Sequence, residues 1–249
     1  MTDQSLTVEA RFNGPPGSGN GGYVAGLLAA HASRLLPAYR PGDPVQVTLR
    51  EPPPLGIPLL VTADEGRVTA TFGGALVAEA EPGALAEDLL VPVAFDVAAE
   101  AEQRYAGLVA HPFPGCFVCG TDRPEDDGMR LRPGRVRPGG GSGADGLVAT
   151  TWVPDEPLAG ADGLVGEPFV WAALDCPGGW ASDLTARPMV LGRITARVHA
   201  RPYVGDRCVV VGRVLRTDGR KTFTSTTAYD GDGRALGQAE STWFETRVR

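Results

Sequence analysis

The chain is short of several residue types that would each announce a function. It has a single lysine, Lys221, among 23 basic residues, and only three histidines, His31, His111 and His199. Acidic residues outnumber basic ones and the formal net charge is -7, which argues against general nucleic-acid binding, where a basic surface is needed. No apolar run approaches the roughly 20 residues that cross a bilayer, so no membrane partner is expected. The opening residues Met1-Thr2-Asp3-Gln4-Ser5 are polar and acidic, unlike a secretory signal. Four cysteines in 249 residues then read as thiols rather than a disulfide framework, and a cytoplasmic location is expected.

What is present is ordinary for a globular protein: 43% apolar and 21% charged residues. The length allows one large domain or two of about 100–150 residues. Leu6 to Phe12 alternates weakly as a first strand. The Asn13 to Gly22 stretch is a loop by its glycines and prolines. A helical pattern runs from Tyr23 to Leu36, and short strands follow at 45–50, 59–63, 67–72 and 75–80, with hairpin turns at Glu65-Gly66 and Gly73-Gly74. Asp96 is placed to cap a linking helix reaching about Leu108. Glycine- and proline-rich 133–146 reads as a mobile segment without the Gly-Lys-Ser/Thr of a phosphate loop.

The second half repeats this order. A strand at 147–153 precedes a helix from about Glu167, and strands follow at 189–200, 208–216, 222–229 and 236–244. The turn Pro202-Tyr203-Val204-Gly205 answers Pro53-Pro54-Leu55-Gly56, and Ala239-Glu240 answers Ala80-Glu81. A repeat this long indicates a duplicated domain, not a solenoid.

The second helix carries the most information. Phe169, Val170, Trp171, Ala172, Ala173 and Leu174 leave it no polar face. Pro168 sits at its start, where a missing N–H costs nothing. Asp175 is its one interior acid, expensive to bury without a partner. Either Asp175 ends the helix, with Pro177-Gly178-Gly179 following, or it is a catalytic acid.

The run Ala172-Ala173-Leu174-Asp175-Cys176-Pro177-Gly178-Gly179-Trp180-Ala181 resembles the central helix of hotdog-fold acyl-CoA thioesterases of the phenylacetyl-CoA thioesterase type. Their helix opens with His-Gly-Gly and places the acid nine positions after the histidine. Here the acid and tail lie in the second half, whereas the helix start, Asn20-Gly21-Gly22, lies in the first. Cys116-x-x-Cys119-Gly120 followed by Gly128-Met129-Arg130-Leu131 resembles the same thioesterases. The resemblance implies an α+β double hotdog, two fused units each with a long helix wrapped by an antiparallel sheet. The boundaries are 1–95 for the first unit, 96–115 for a linker and 116–249 for the second.

The family builds its site across a dimer interface, one helix start polarising the thioester carbonyl and the other helix supplying the acid. Asp175 stands about 13.5 Å along the helix from Gly166, too far to serve its own helix start, and the resemblance implies that it serves the start of the neighbouring antiparallel helix. The resemblance then implies a live composite site, with Asn20, Gly21 and Gly22 as the oxyanion element and Asp175 as general base or nucleophile. Asn20 stands where the family has histidine. The mirror site would pair Glu167-Pro168 with Ala29 and lacks chemistry: an acid repels an oxyanion, proline has no N–H and alanine does nothing. Asn13 is a candidate for orienting substrate or water. Tyr23, Trp171 and Trp180 are candidates for lining the acyl tunnel. Arg193 and Arg197, on one strand face, could hold coenzyme A phosphates or simply face water. Pro177 should kink or end the helix.

A zinc site needs four ligands, and Cys176 and Cys208 lack a second paired spacing, so no metal is expected. No helix pattern follows Cys119, which disfavours a redox pair. The expected activity is hydrolysis of an acyl-CoA or related thioester without a cofactor. A non-catalytic acyl-CoA or lipid binder is the alternative. A hotdog hydratase or dehydratase is disfavoured, because Trp180 stands where the hydratase motif has histidine and His111-Pro112-Phe113-Pro114-Gly115 leads into the Cys-x-x-Cys. A monomer and a homo-oligomer are both compatible with a fused double hotdog.

Overall fold

A computed structural model describes residues 4–37, 39–40, 42–64, 66–124, 127–138, 143 and 146–246. Glu65 of the first hairpin turn, and most of the glycine-rich part of 133–146, lie outside the described residues. The strands are β1 (Gln4–Leu6), β2 (Val45–Leu49), β3 (Leu59–Asp64), β4 (Arg67–Phe72), β5 (Ala75–Pro82), β6 (Gly134–Arg135), β7 (Val148–Trp152), β8 (Met189–Val198), β9 (Cys208–Asp218), β10 (Lys221–Tyr229) and β11 (Ala235–Glu245). The helices are α1 (Gly21–Leu35), α2 (Phe95–Glu102) and α3 (Glu167–Trp180).

All the strands join one antiparallel sheet in the order β1-β3-β4-β5-β2-β8-β11-β10-β9-β7-β6. The order exposes the duplication. Reading outward from the seam, β2-β5-β4-β3-β1 is matched by β8-β11-β10-β9-β7. The seam pairs Val45 with Ala196 and Val47 with Ile194. α1 lies between β1 and β2 in the chain, as α3 lies between β7 and β8. This is an α+β double hotdog: a continuous curved sheet around a pair of helices.

The alternation of the strands aims Val45, Val47, Ile194 and Ala196 at the helices, and all four are buried. α1 and α3 pack directly on each other. Their contact depends on glycine. A Cβ at Gly26 would stand 2.6 Å from Pro168 Cα, and one at Gly22 would stand 2.4 Å from Asp175 Cβ. The pairing of early α1 with late α3 shows that the helices run antiparallel.

Three expectations need correction. The first strand is only β1, because the chain turns through a 3-10 helix at Ala10–Phe12 before reaching the asparagine loop. α2 begins after Ala94, and Asp96 lies in its first turn instead of capping it. It stops at Glu102, with a separate 3-10 turn at Ala106–Leu108. Pro177 does not end α3, which continues to Trp180. Packing outweighs the lost hydrogen bond there: a Cβ on Gly178 would meet Thr224 Oγ1 at 2.7 Å and one on Gly179 would meet Trp243 at 2.8 Å, so the last turn is seated on the sheet. Thr226 Oγ1 also donates to the Leu174 carbonyl at 2.7 Å.

Candidate active site

Asp175 therefore sits inside α3, not at its end, and is 2% exposed. Because α3 runs antiparallel to α1, its carboxylate reaches the α1 start. Gly22 N–H donates to Asp175 Oδ2 at 2.8 Å, and Asn20 Nδ2 donates to the same oxygen at 3.2 Å. Asn20 is itself fixed as the α1 N-cap, its Oδ1 accepting from Tyr23 N–H at 2.9 Å. One asparagine thus uses its carbonyl to start the helix and its amide to hold the acid. Asp175 Oδ1 is buried without a hydrogen-bond partner. Burial pushes the carboxyl up to about 7, against the pull of the Gly22 hydrogen bond.

A cavity of about 660 Å³ opens at this junction, with Asn20, Gly21, Asp175, Cys116, Cys176 and Trp180 on its wall. Gly21 is the first residue of α1. Its N–H has no partner among the described residues, as the geometry of a helix start requires, and the partial positive charge there favours an anion. Gly22 N–H, by contrast, is already spent on the acid. Expecting both glycines to serve an oxyanion therefore has to be revised, since one of them orients Asp175.

Asn20, Gly21, Gly22 and Asp175 are brought together, and Trp180 joins them on the cavity wall. The remaining candidates lie elsewhere. Asn13 is held by its own neighbours: its Nδ2 donates to the Gly115 carbonyl at 2.8 Å and its Oδ1 accepts from Arg123 at 2.8 Å. It clamps the cysteine loop to the chain entering α1. Tyr23 stacks on Phe12 at 4.3 Å between centroids, within an aromatic cluster that includes Phe117 and Phe169. Trp171 is buried against Gly26. Arg193 lies on the exposed face of β8 and donates to Thr48 Oγ1 at 3.1 Å. Arg197 pairs with Glu87 at 3.9 Å. None of these five lines the large cavity.

Two wall residues, Cys116 and Cys176, had not been connected to the acid. Cys116 enters through the loop that Asn13 and Arg123 pin in place, and Cys176 follows Asp175 on α3. The available signal was the adjacency of Asp175 and Cys176 together with the Cys-x-x-Cys; what the sequence conceals is that the two segments meet.

The mirror position has its own cavity of about 540 Å³, with Glu167, Trp171, Tyr39, His199 and Arg201 on its wall. Glu167 stands at the α3 start and Ala29 is a buried core residue, so this junction has no acid equivalent to Asp175. His111 is not available as a catalytic base. Its Nδ1 accepts from Phe113 N–H at 2.9 Å, which makes Nε2 the protonated nitrogen that donates to the Cys119 carbonyl at 3.1 Å.

No protein-family model matches the chain, and no curated protein does. Solved structures do. A TesB protein of Mycobacterium avium subsp. paratuberculosis aligns with 98% of this chain and 92% of its own, at 14% identity and TM-score 0.61. A candidate thioesterase from Novosphingobium aromaticivorans covers 98% and 95%, at 16% identity and TM-score 0.63. A hot dog fold protein of unknown function from Alicyclobacillus acidocaldarius covers 98% and 92%, at 14% identity and TM-score 0.61. These likenesses extend over 98% of the chain and agree with the sheet order in showing a double hotdog fold. Among the described residues no helix is long and apolar enough to cross a membrane.

Proposed function

We propose that the chain is an acyl-CoA thioesterase with one working site, at the junction of the α1 start with Asp175. The observation that carries this reading is the division of labour within the Asp175 carboxylate on the cavity wall: Oδ2 is held by Gly22 and Asn20, and Oδ1 is buried without a hydrogen-bond partner. A base must be oriented through one oxygen and unoccupied at the other. Oδ1 takes a proton from water as the water oxygen bonds to the thioester carbon. Gly21 N–H supports the carbonyl oxygen as it becomes an oxyanion; one such donor is worth about a hundredfold or more in rate. When the C–S bond breaks, the proton on Asp175 passes to the coenzyme A sulfur and the acid is released. The carboxyl's position near neutrality suits both halves of this transfer.

The reading includes two units, 1–95 and 116–249, joined by 96–115, in a cytoplasmic protein. The mirrored strand order supports the two units, and four free cysteines fit a reducing compartment. A second reading, an acyl-CoA binder without turnover, is favoured by the near-complete burial of Asp175 and by the engagement of Gly22.

The test is coenzyme A release, followed chromatographically, from aromatic and aliphatic acyl-CoA thioesters by wild type and Asp175→Asn. Loss of turnover by about a hundredfold or more with retained acyl-CoA affinity supports the enzyme. Binding without turnover in folded wild type supports the binder. Full turnover in the variant removes Asp175 as the base.

A further inference from the structure

Beside the acid lies a cluster of groups that hydrolysis does not use. Cys116, Cys119 and Cys176 are buried free thiols, and their Sγ atoms all lie within 4.8 Å of one another. Cys116 and Cys176 are 3.9 Å apart. Around a tetrahedral zinc with Zn–S bonds of about 2.3 Å, neighbouring sulfurs stand about 3.8 Å apart. The Cys116–Cys176 pair stands at that separation, and Cys119 Sγ lies within 4.8 Å of both.

The surroundings of the cluster suit thiolates. Backbone N–H groups of Val118 and Cys119 point at Cys116 Sγ. Asn20 Nδ2 lies 3.8 Å from Cys116 Sγ and 3.9 Å from Cys176 Sγ. The Trp180 indole N–H, buried without a conventional acceptor, lies beside Cys119. Cys116 and Cys176 therefore share the Asn20 N–H donor, an arrangement that supports metal-bound sulfur. Three bare thiolates in this space would repel one another, and a soft divalent cation removes that conflict.

The loop is shaped for the purpose. Gly120 N–H closes on the Cys116 carbonyl at 2.8 Å. A Cβ at Gly120 would lie 2.4 Å from both the Cys116 and the Pro114 carbonyl oxygens. The spacing Cys116-x-x-Cys119 is that of a paired zinc ligand set. Paired spacing alone offered only two ligands; the fold supplies the third from α3.

We propose that Cys116, Cys119 and Cys176 bind one zinc ion, with the fourth position open to the cavity beside Asp175. Cys116 and Cys176 both line that cavity, so the fourth ligand is water or a group that enters with the cavity's occupant. The ion would lock the cysteine loop onto α3. The proposal rests on the sulfur geometry and not on the thioesterase reading.

The test uses the full chain, reduced with a phosphine, stripped by chelator and titrated anaerobically with Co²⁺ and then Zn²⁺. Saturation at one Co²⁺ per chain is expected, with thiolate-to-cobalt charge-transfer absorption and the visible bands of a tetrahedral site, all bleached by Zn²⁺. Cys119→Ser and Cys176→Ser should weaken binding by more than the roughly 10–100-fold that loss of an outer-shell partner costs. Cys208→Ser, at a buried position on β9 outside the cluster, should match wild type. Asp175→Asn should keep the metal even where it loses turnover, which separates failure of this proposal from failure of the enzymatic reading. Folded, reduced wild type that shows no stoichiometric cobalt spectrum overturns the proposal. So does a native chain whose mass shows a disulfide within the cluster. Should the serine variants fail to fold, the wild-type titration alone decides.

Discussion

Gly22→Ala is the most demanding test of how the two helices create the site. The added Cβ would stand 2.4 Å from Asp175 Cβ, 2.7 Å from the Trp171 carbonyl oxygen and 3.0 Å from Ala172 Cα. Carbon contacts are comfortable at about 3.5–4.0 Å, so α1 and α3 must separate by roughly 1 Å. Two of the three atoms are backbone, and no rotamer change relieves them. Separation on this scale stretches the 2.8 Å bond from Gly22 N–H to Asp175 Oδ2 beyond useful length. Overpacking costs about 1–3 kcal/mol, and losing a hydrogen bond to a carboxylate costs about 1.5–3 kcal/mol. The better helix propensity of alanine returns at most about 1 kcal/mol. The net expectation is a loss of about 2–4 kcal/mol, read as a shift in the urea midpoint at constant slope. Two companions sharpen the comparison. Gly26→Ala meets Pro168 Cα at 2.6 Å but touches no bond to Asp175, so it should show the packing loss alone. Gly21→Ala meets only Leu191 and Leu49 side-chain carbons at 2.9–3.2 Å, which can shift, so it should cost least. A Gly22→Ala protein as stable as wild type, or a Gly21→Ala protein that suffers more, would refute the close-approach argument.

Three further outcomes follow from named contacts. Arg123 joins the Asn13 Oδ1, the Gly115 and Arg11 carbonyls and Asp127 with its side chain 9% exposed, so Arg123→Ala should lose about 2–4 kcal/mol in thermal or urea unfolding and speed the reaction of Cys116 with a thiol reagent. Glu102 Oε1 accepts from Thr151 N–H at 2.6 Å and from the hydroxyls of Thr150 and Thr151; Glu102→Ala should cost about 1–3 kcal/mol by leaving those donors stranded, with turnover per folded molecule unchanged. A Cβ at Gly212 would stand 2.6 Å from the Pro177 carbonyl oxygen, so Gly212→Ala should loosen the late turns of α3, lowering stability by about 1–3 kcal/mol and raising hydrogen exchange in 175–180.

The strands were legible because their alternation is regular and the hairpin turns carry glycine. β3, β4 and β5 begin at the expected residues, and the second half misses by at most a residue or two at most strand starts. The duplication was legible for the same reason. Local preference alone ends or kinks the helix at Pro177, but Gly178, Gly179 and Gly212 let it approach the sheet closely and α3 continues to Trp180. The partner of Asn13 was not legible, because a loop asparagine gives no hint of Arg123, 110 residues away. The pairing of Asp175 with the α1 start could be anticipated because helix rise keeps the acid from its own helix start and the family resemblance implies the neighbouring one. The engagement of Gly22 could not, since it depends on how closely the helices approach.

On the proposed reading, that closeness is what would leave a duplicated chain with one site. At the first junction, Gly22 lets Asp175 come within bonding distance of the α1 N–H groups, and Asn20 both caps the helix and tethers the acid. At the mirrored junction, the α3 start has Gly166 as its cap, without a side-chain hydrogen bond, followed by Glu167 and Pro168. Proline offers no donor, Glu167 opposes an anion, and buried Ala29 brings no acid. Both junctions keep the same helix pairing, because Gly26 against Pro168 and Gly22 against Asp175 belong to a single packed seam. The second junction therefore stabilises the seam that positions the first. Gly26→Ala, one helical turn from Gly22 along that seam, should therefore cost stability through packing against Pro168 and leave the hydrogen bonds to Asp175 in place.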